Sequence, residues 1–378
     1  MSCLNPFTRS TQDQIFLEAL QNKPLAFSSA STLVSATSRL PFVTSDKTAT
    51  LNVECFFFEE GNRDVEKSKQ IPNANKKKHV PVPIILYVHG VCSSAETLGV
   101  QHLVAHAKKK RYRVAVLELE GHGLSSGARG VCSNFKRLVG HVTEFVKHVL
   151  TTISKHSNAL SNKNEITGIN DKILETDAIP FVLCGNSLGG ILAAYAADII
   201  SKSSIQYPGR LIGVSLIAPA VGVDPKAIPS PIALGGLKLL SLLAPSASIS
   251  LTPMEDPISY AAPKNSTRNY HGYWPLGTSR MLLDVTTQLV KNDLKNNSIS
   301  MNKVKSLILF SGEDDEIVPY NSVKEFFESI KAREKALIAV PGAGHDLLYH
   351  PEYAKEIINQ MFQWIELRLW ATGQAKSK

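Results

Sequence analysis

The chain has 378 residues, 43% of them hydrophobic and 20% charged. Those are globular proportions, too apolar for a disordered chain and sufficient for one large core with an added piece. The formal net charge is +8, but no recognised motif or aromatic platform accompanies the basic runs, which excludes nucleic acid as the expected partner.

Residues 1–40 read as a polar, Ser/Thr-rich extension with one candidate helix from Gln12 to Gln21. It has neither the apolar core nor the cleavage pattern of a secretory signal, and Asp13 and Glu18 weaken an organelle-transit reading while leaving it open. Strands are expected from Pro41 to Glu59, where Leu51, Val53, Cys55 and Phe57 alternate with other residues. Gly61 to His79 reads as a charged loop. From Val82 onward strand and helix patterns alternate, which implies class α/β, a mostly parallel sheet covered by helices on both faces. Ser157 to Thr176, rich in Asn, Ser and Lys, reads as a surface insertion. From Ala218 to about Tyr273 the alternation stops, and Pro231 to Pro245 is so rich in Ile and Leu that no clean amphipathic face emerges. That stretch is either buried or laid against something apolar.

No apolar run reaches the ~18–20 residues needed to span a bilayer. The five cysteines (Cys3, Cys55, Cys92, Cys132, Cys184) share no recognisable spacing, so free thiols in a reducing, cytoplasmic setting are expected, with Cys184 in the core. Lys67, Lys69, Lys76–Lys78 and Lys108–Arg111 read either as solubilised loops and a helix end or as attraction to an anionic membrane surface, where each nearby cation contributes about 1 kcal/mol. His102 and His106, four apart, have no further ligand at metal spacing nearby and read as a surface helix pair; no metal site is expected.

The chemistry concentrates at Phe181-Val-Leu-Cys-Gly-Asn-Ser-Leu-Gly-Gly190, an apolar strand that breaks at Gly185-x-Ser187-x-Gly189 before an Ala/Leu-rich helix, Ile191 to Ile200. A strand turning sharply into a helix around one serine strains that serine and lifts its hydroxyl clear of the sheet. A serine nucleophile then needs a base, a carboxylate to orient it, and N–H donors for an oxyanion. Val304–Phe310 is a strand followed by the acids Glu313, Asp314, Asp315 and Glu316. Ala336–Val340 is another, followed by a Gly-rich loop carrying His345. Upstream, Ile84–Val88 breaks at His89-Gly90-Val91, a turn that can present the Val91 N–H; the Leu188 N–H, next to the serine, supplies a second donor. His89 and His122 read as loop-shaping residues.

His89-Gly90, Glu120-Gly-His-Gly-Leu-Ser-Ser-Gly127, Gly185-Asn-Ser-Leu-Gly-Gly190, Gly312-Glu-Asp-Asp315 and Gly344-His345 resemble the α/β-hydrolase superfamily, and more narrowly its plant-type monoacylglycerol lipase and lysophospholipase branch. The resemblance runs from about Leu40 to about Trp370. It implies an α/β-hydrolase core over 41–217 and 274–372, a cap inserted at 218–273 and a tail at 373–378. It selects Asp315, third after Gly312, as the acid beside Ser187 and His345. It further implies a serine esterase without cofactor that acts on a lipid ester, a monoacylglycerol or lysophospholipid. The alternatives are a carboxylesterase or acyltransferase of soluble esters and a non-catalytic binder that kept the fold. Asn186 and Leu188 depart from the His or Glu and the Met usual beside the nucleophile, which bears on substrate rather than on chemistry.

Overall fold

The computed structural model describes residues 38–57, 83–164, 178–204, 207–253 and 268–374. Five strands are short apolar runs: β4 (Ile84–Val88), β5 (Arg113–Glu118), β6 (Ile179–Asn186), β7 (Gly209–Ile217) and β10 (Ser306–Gly312). With β11 (Glu334–Val340) they pair in parallel in the order β5-β4-β6-β7-β10-β11. Strand β3 (Thr50–Phe56) adds antiparallel to β5, and the two-residue strands β1 (Ser38–Arg39) and β2 (Phe42–Val43) pair with β3. The continuous apolar character of the inner strands follows from cover on both faces.

That cover comes from five helices, among them α7 (Tyr320–Ser329), whose Val323 and Phe326 are buried in the core. Helices α2 (Phe135–Asn164) and α3 (Leu188–Lys202) share one core cluster with Ile84, Leu86, Val88, Phe181, Leu183, Val214, Leu216, Leu307 and Leu309. The alternate positions face the other way, where α1 (Leu98–Lys110) and α8 (Pro351–Gln374) pack: Cys184 Sγ lies 3.8 Å from Met361 Sδ of α8. Cys184 is therefore core, and burial pushes its thiol up to about 12. Helix α1 ends on Lys108, Lys109 and Lys110, which meet the negative end of its dipole, and Lys110 pairs with Glu366 of α8 at 2.7 Å. This basic run is a helix end; Lys67, Lys69 and Lys76–Lys78 lie outside the described residues.

Several expectations need correction. Of the Asn/Ser/Lys-rich insertion, Ser157–Asn164 continue α2; the rest of it, and the charged loop at 61–79, fall outside the described residues. In β3 the polar positions Asn52 and Glu54 are buried along with Leu51, Val53 and Cys55. His102 and His106 are half-buried: His102 Nδ1 donates to Leu348 O at 3.0 Å, and the His106 ring packs 4.7 Å from Phe362. Between β7 and β10 the chain makes α4 (Pro231–Leu243), β8 (Ser248–Pro253), β9 (Tyr273–Pro275), α5 (Leu276–Asp284) and α6 (Val290–Lys295), the last two joined by a π-turn at Val285–Leu289. Within this excursion β8 pairs with β9 and α4 contacts α5.

One contact ties β7 to α8. A Cβ on Gly213 would lie 2.3 Å from the Trp364 ring, a fully buried side chain, and β6 shifts register opposite this position, between Phe181 and Val182. Only a residue without a side chain lets the indole reach the strand. Gly213→Ala is therefore expected to lower unfolding stability by about 1–3 kcal/mol, read as a drop in urea midpoint at unchanged slope. An unchanged midpoint would mean that α8 can move aside without loss.

Candidate active site

Strand β6 stops at Asn186, and Ser187 adopts φ 52°, ψ −120° before α3 begins at Leu188. Such a backbone costs a residue with a side chain on the order of 1–3 kcal/mol and persists only where neighbours enforce it. They do so by crowding: a Cβ on Gly185 would lie 2.2 Å from Gly189 O, and one on Gly189 2.2 Å from Val88 O. The turn is pinned by Ser187 N–H donating to Ile217 O (2.9 Å) and Ala220 N–H donating to Ser187 O (3.0 Å). The end of β7 thus holds the end of β6.

On the neighbouring strands two loops are joined to each other. Glu313 N–H donates to Val340 O (3.1 Å) and Asp314 N–H to Ala343 O (3.0 Å), so the chain after β10 lies along the chain after β11. The result brings three side chains into a row. His345 Nε2 lies 2.9 Å from Ser187 Oγ, and His345 Nδ1 lies 2.8 Å from Asp315 Oδ2. The other oxygen of Asp315 accepts from the N–H groups of Ile317 (2.9 Å) and Val318 (2.8 Å), which orients the buried carboxylate. Asp314 and Glu316 are exposed. Asp346, next to His345, is a further carboxyl at this edge, pushed above the usual range first by burial. A hydroxyl, an imidazole and an oriented carboxylate at these spacings can pass a proton from oxygen to ring nitrogen while the new cation is stabilised.

The turn after β4 lies directly alongside. A Cβ on Gly90 would sit 3.3 Å from Ser187 Cβ. Within this turn Cys92 N–H donates to His122 Nε2 (3.0 Å) and Ser93 N–H approaches Gly90 O (3.4 Å). Val91 N–H has no acceptor among the described residues, and the Leu188 N–H, first of its helix, has none within the helix. Of the two anticipated donors, Leu188 directly follows the serine and Val91 directly follows Gly90.

His89 and His122 shape this region. His89 Nδ1 donates to Gly90 O (2.6 Å) and Nε2 accepts from Leu119 N–H (3.1 Å); His122 Nδ1 donates to Glu120 O (3.0 Å) and Nε2 accepts from Cys92 N–H (3.0 Å). Each ring spends one nitrogen as donor and one as acceptor, an arrangement open only to neutral imidazole. Burial lowers His89 to about 4 and His122 to about 3, the latter also through the neighbouring His89. Among the described residues no three His, Cys, Asp or Glu side chains gather as a metal-ligand set. Sequence reasoning missed Arg268, Asn269 and Tyr270, which reach this edge from the excursion across 172–175 residues in the case of Asn269. No local pattern marks them.

A serine on a strand-to-helix elbow over a parallel sheet, with its partners on the loops after the later strands, defines an α/β-hydrolase. Residues 79–160 and 164–352 match the family described as serine aminopeptidase, S33, and the chain belongs to that family. An uncharacterized abhydrolase domain-containing protein of Dictyostelium discoideum is 22% identical over 291 residues, which is 76% of this chain and 27% of the relative. The chain therefore spans about a quarter of that relative's length. A soluble variant of monoglyceride lipase from Saccharomyces cerevisiae, in complex with a substrate analogue, superimposes with a TM-score of 0.56 at 15% identity, over 89% of this chain and 96% of that one. Alpha/beta hydrolase domain-containing protein 10 from mouse does so with a TM-score of 0.50 at 15% identity, over 88% and 100%. At these identities the structural likeness is one of fold.

The buried neutral histidines carry a pH consequence. Their folded values lie below the ordinary imidazole value of 6.5, so between 6.5 and about 4 the unfolded chain binds more protons than the folded one. Stability from this source is full above 6.5 and is lost as pH falls through that window. Urea unfolding at pH 7.0 and pH 4.5 is expected to differ by on the order of a few kcal/mol. A flat profile over that range would show that the rings do not stay neutral in the folded state.

Proposed function

We propose that the protein is a serine hydrolase of lipid carboxylic esters, with a monoacylglycerol or lysophospholipid as substrate. The observation that carries this is the unbroken row Ser187 Oγ, His345 Nε2, His345 Nδ1, Asp315 Oδ2, with contacts of 2.9 and 2.8 Å. Ser187 Oγ attacks the ester carbonyl while His345 Nε2 takes its proton. Asp315 holds the ring in the tautomer that leaves Nε2 free and stabilises the imidazolium. The N–H groups of Val91 and Leu188 receive the oxyanion. The proton on His345 passes to the leaving alcohol, and water repeats the sequence on the acyl-enzyme.

The lipid half of the reading rests on the excursion after β7, which we take as the cap over the site. Helix α4 starts on Ser230, whose Oγ accepts from Ala233 N–H at 3.4 Å, with Pro231 in its first turn. It buries Leu237 and Ser241 yet exposes Ile232 (89%), Leu242 (69%) and Leu243 (75%), with Leu239 and Leu240 beside them. Of the two alternatives for this stretch, burial among the described residues does not apply. A row of leucines facing water favours transfer onto an apolar surface at roughly 25 cal/mol per Å². Contact with a lipid interface follows from this reading. Among the described residues no helix is long and apolar enough to cross a membrane.

Two experiments test the reading. Ser187→Ala and Asp315→Asn are each expected to lower turnover of a monoacylglycerol by on the order of 10⁴-fold, with Asp314→Asn close to wild type. Fluorophosphonate labelling should be lost in Ser187→Ala. Labelling or activity that survives there points to a binder or to another nucleophile, and the reverse ranking of the two aspartates moves the acid to Asp314. Replacing Leu239 and Leu243 with Ser is expected to depress hydrolysis of micellar monoacylglycerol far more than that of a short soluble ester. Equal losses would remove the interfacial argument, and preference for the soluble ester or for an aminoacyl anilide would replace the lipid substrate.

A further inference from the structure

Three consecutive residues of the excursion, Arg268, Asn269 and Tyr270, each hold a different part of the segment 90–97 that follows β4. Tyr270 N–H donates to Cys92 O at 3.0 Å, next to Val91, the anticipated oxyanion donor. The Tyr270 ring lies over Gly130, and its hydroxyl donates to Tyr273 O at 2.7 Å.

Asn269 is buried, and its Oδ1 accepts from two hydroxyls, Ser94 Oγ at 2.7 Å and Thr97 Oγ1 at 3.1 Å. Those hydroxyls are themselves acceptors: Thr97 Oγ1 from Ser94 N–H (2.8 Å) and Ser94 Oγ from Glu96 N–H (3.2 Å). Their own hydrogens are thereby free to be donated, and the amide orientation of Asn269 follows from that.

Arg268 reaches the same segment through charge. Its guanidinium lies 3.2 Å from Glu96, 3.2 Å from Glu54 and 3.8 Å from Glu118. Glu54 and Glu118 are fully buried. Glu118 also accepts from Ala95 N–H (3.2 Å), Leu124 N–H (2.7 Å) and Asn52 Nδ2 (2.8 Å), so one carboxylate fastens β3, β5 and segment 90–97 together.

We propose that Arg268, Asn269 and Tyr270 are positioning residues: a latch from the excursion that keeps segment 90–97 in the shape presenting Val91 N–H to the oxyanion. Catalytic power then depends on a segment that supplies none of the reacting groups. A displacement of about 1 Å at such a site costs on the order of 10²-fold. This deepens, and rests on, the serine-hydrolase reading.

The test is Asn269→Ala in the full chain, with a soluble acetyl ester and a trifluoromethyl ketone, whose adduct with the serine places an oxyanion where the reaction does. The expected result is a ten- to hundredfold fall in kcat, KM within about threefold, and a matching loss of affinity for the ketone, with cooperative unfolding retained. A kcat within twofold of wild type, or a fall in kcat with unchanged ketone affinity, overturns the latch. If Asn269→Ala does not fold, Thr97→Val, which removes one hydroxyl from the same amide, is read by the same criteria with a smaller loss, about threefold to tenfold. Ser187→Ala keeps the two readings apart. Activity surviving there overturns the site assignment, whereas activity lost there and intact in Asn269→Ala overturns the latch alone.

Discussion

The constraint on which the site depends is the contact of backbone with backbone around Ser187. The end of β4, the end of β6 and the start of α3 meet at distances that leave no room for a Cβ on Gly185 or Gly189. That crowding holds Ser187 at φ 52°, and the strained turn lifts its hydroxyl out of the sheet. The strain is sustained by what the sheet buries, since the elbow can relax only if β6 and α3 withdraw from the core together. Parallel order adds the rest. Strands running the same way end at the same edge, so the loops bearing Ser187, Asp315 and His345 converge without any of them being long.

Much of this was legible in the chain. β4, β6, β7 and β10 read as apolar runs because parallel strands covered on both faces need no alternation. The elbow was legible because sterics there demand glycine at fixed offsets. The acid was not resolved by residue type alone: Glu313, Asp314, Asp315 and Glu316 look alike on paper, and Asp315 is distinguished by being the one folded inward onto the N–H groups of Ile317 and Val318. The continuation of α2 through an Asn/Ser-rich stretch escaped notice because a helix already anchored by Phe145, Val149 and Ile153 can extend through residues of indifferent propensity. Asn269 escaped notice for a different reason. Its role lies wholly in partners more than 170 residues away, and no local pattern encodes a contact at that distance.

The excursion inverts the usual distribution of side chains. Its Arg268 goes inside, against the buried carboxylates of Glu54 and Glu118, while Leu239, Leu240, Leu242 and Leu243 of α4 stay outside. Neither choice favours stability. A buried ion cluster seldom outperforms an apolar one of equal size, and exposed leucines forgo burial. What the arrangement achieves is attachment without bulk: one guanidinium and one amide moor the segment, and its greasy surface remains available.

The insertion of Trp364 against Gly213 has a consequence for synthesis. Helix α8 follows all the described strands in the chain, and it covers the face of β7 and β10 opposite α2 and α3. A nascent chain that has emerged through β11 already owns every described strand of the sheet, yet on one side of that sheet only α1 is in place. Until α8 has emerged as well, Ile308 and Phe310, on the alternate positions of β10, lack its cover. Chaperone demand is therefore concentrated in the interval between the synthesis of β11 and that of α8, when the catalytic loops exist in sequence but part of the layer beneath them is still missing.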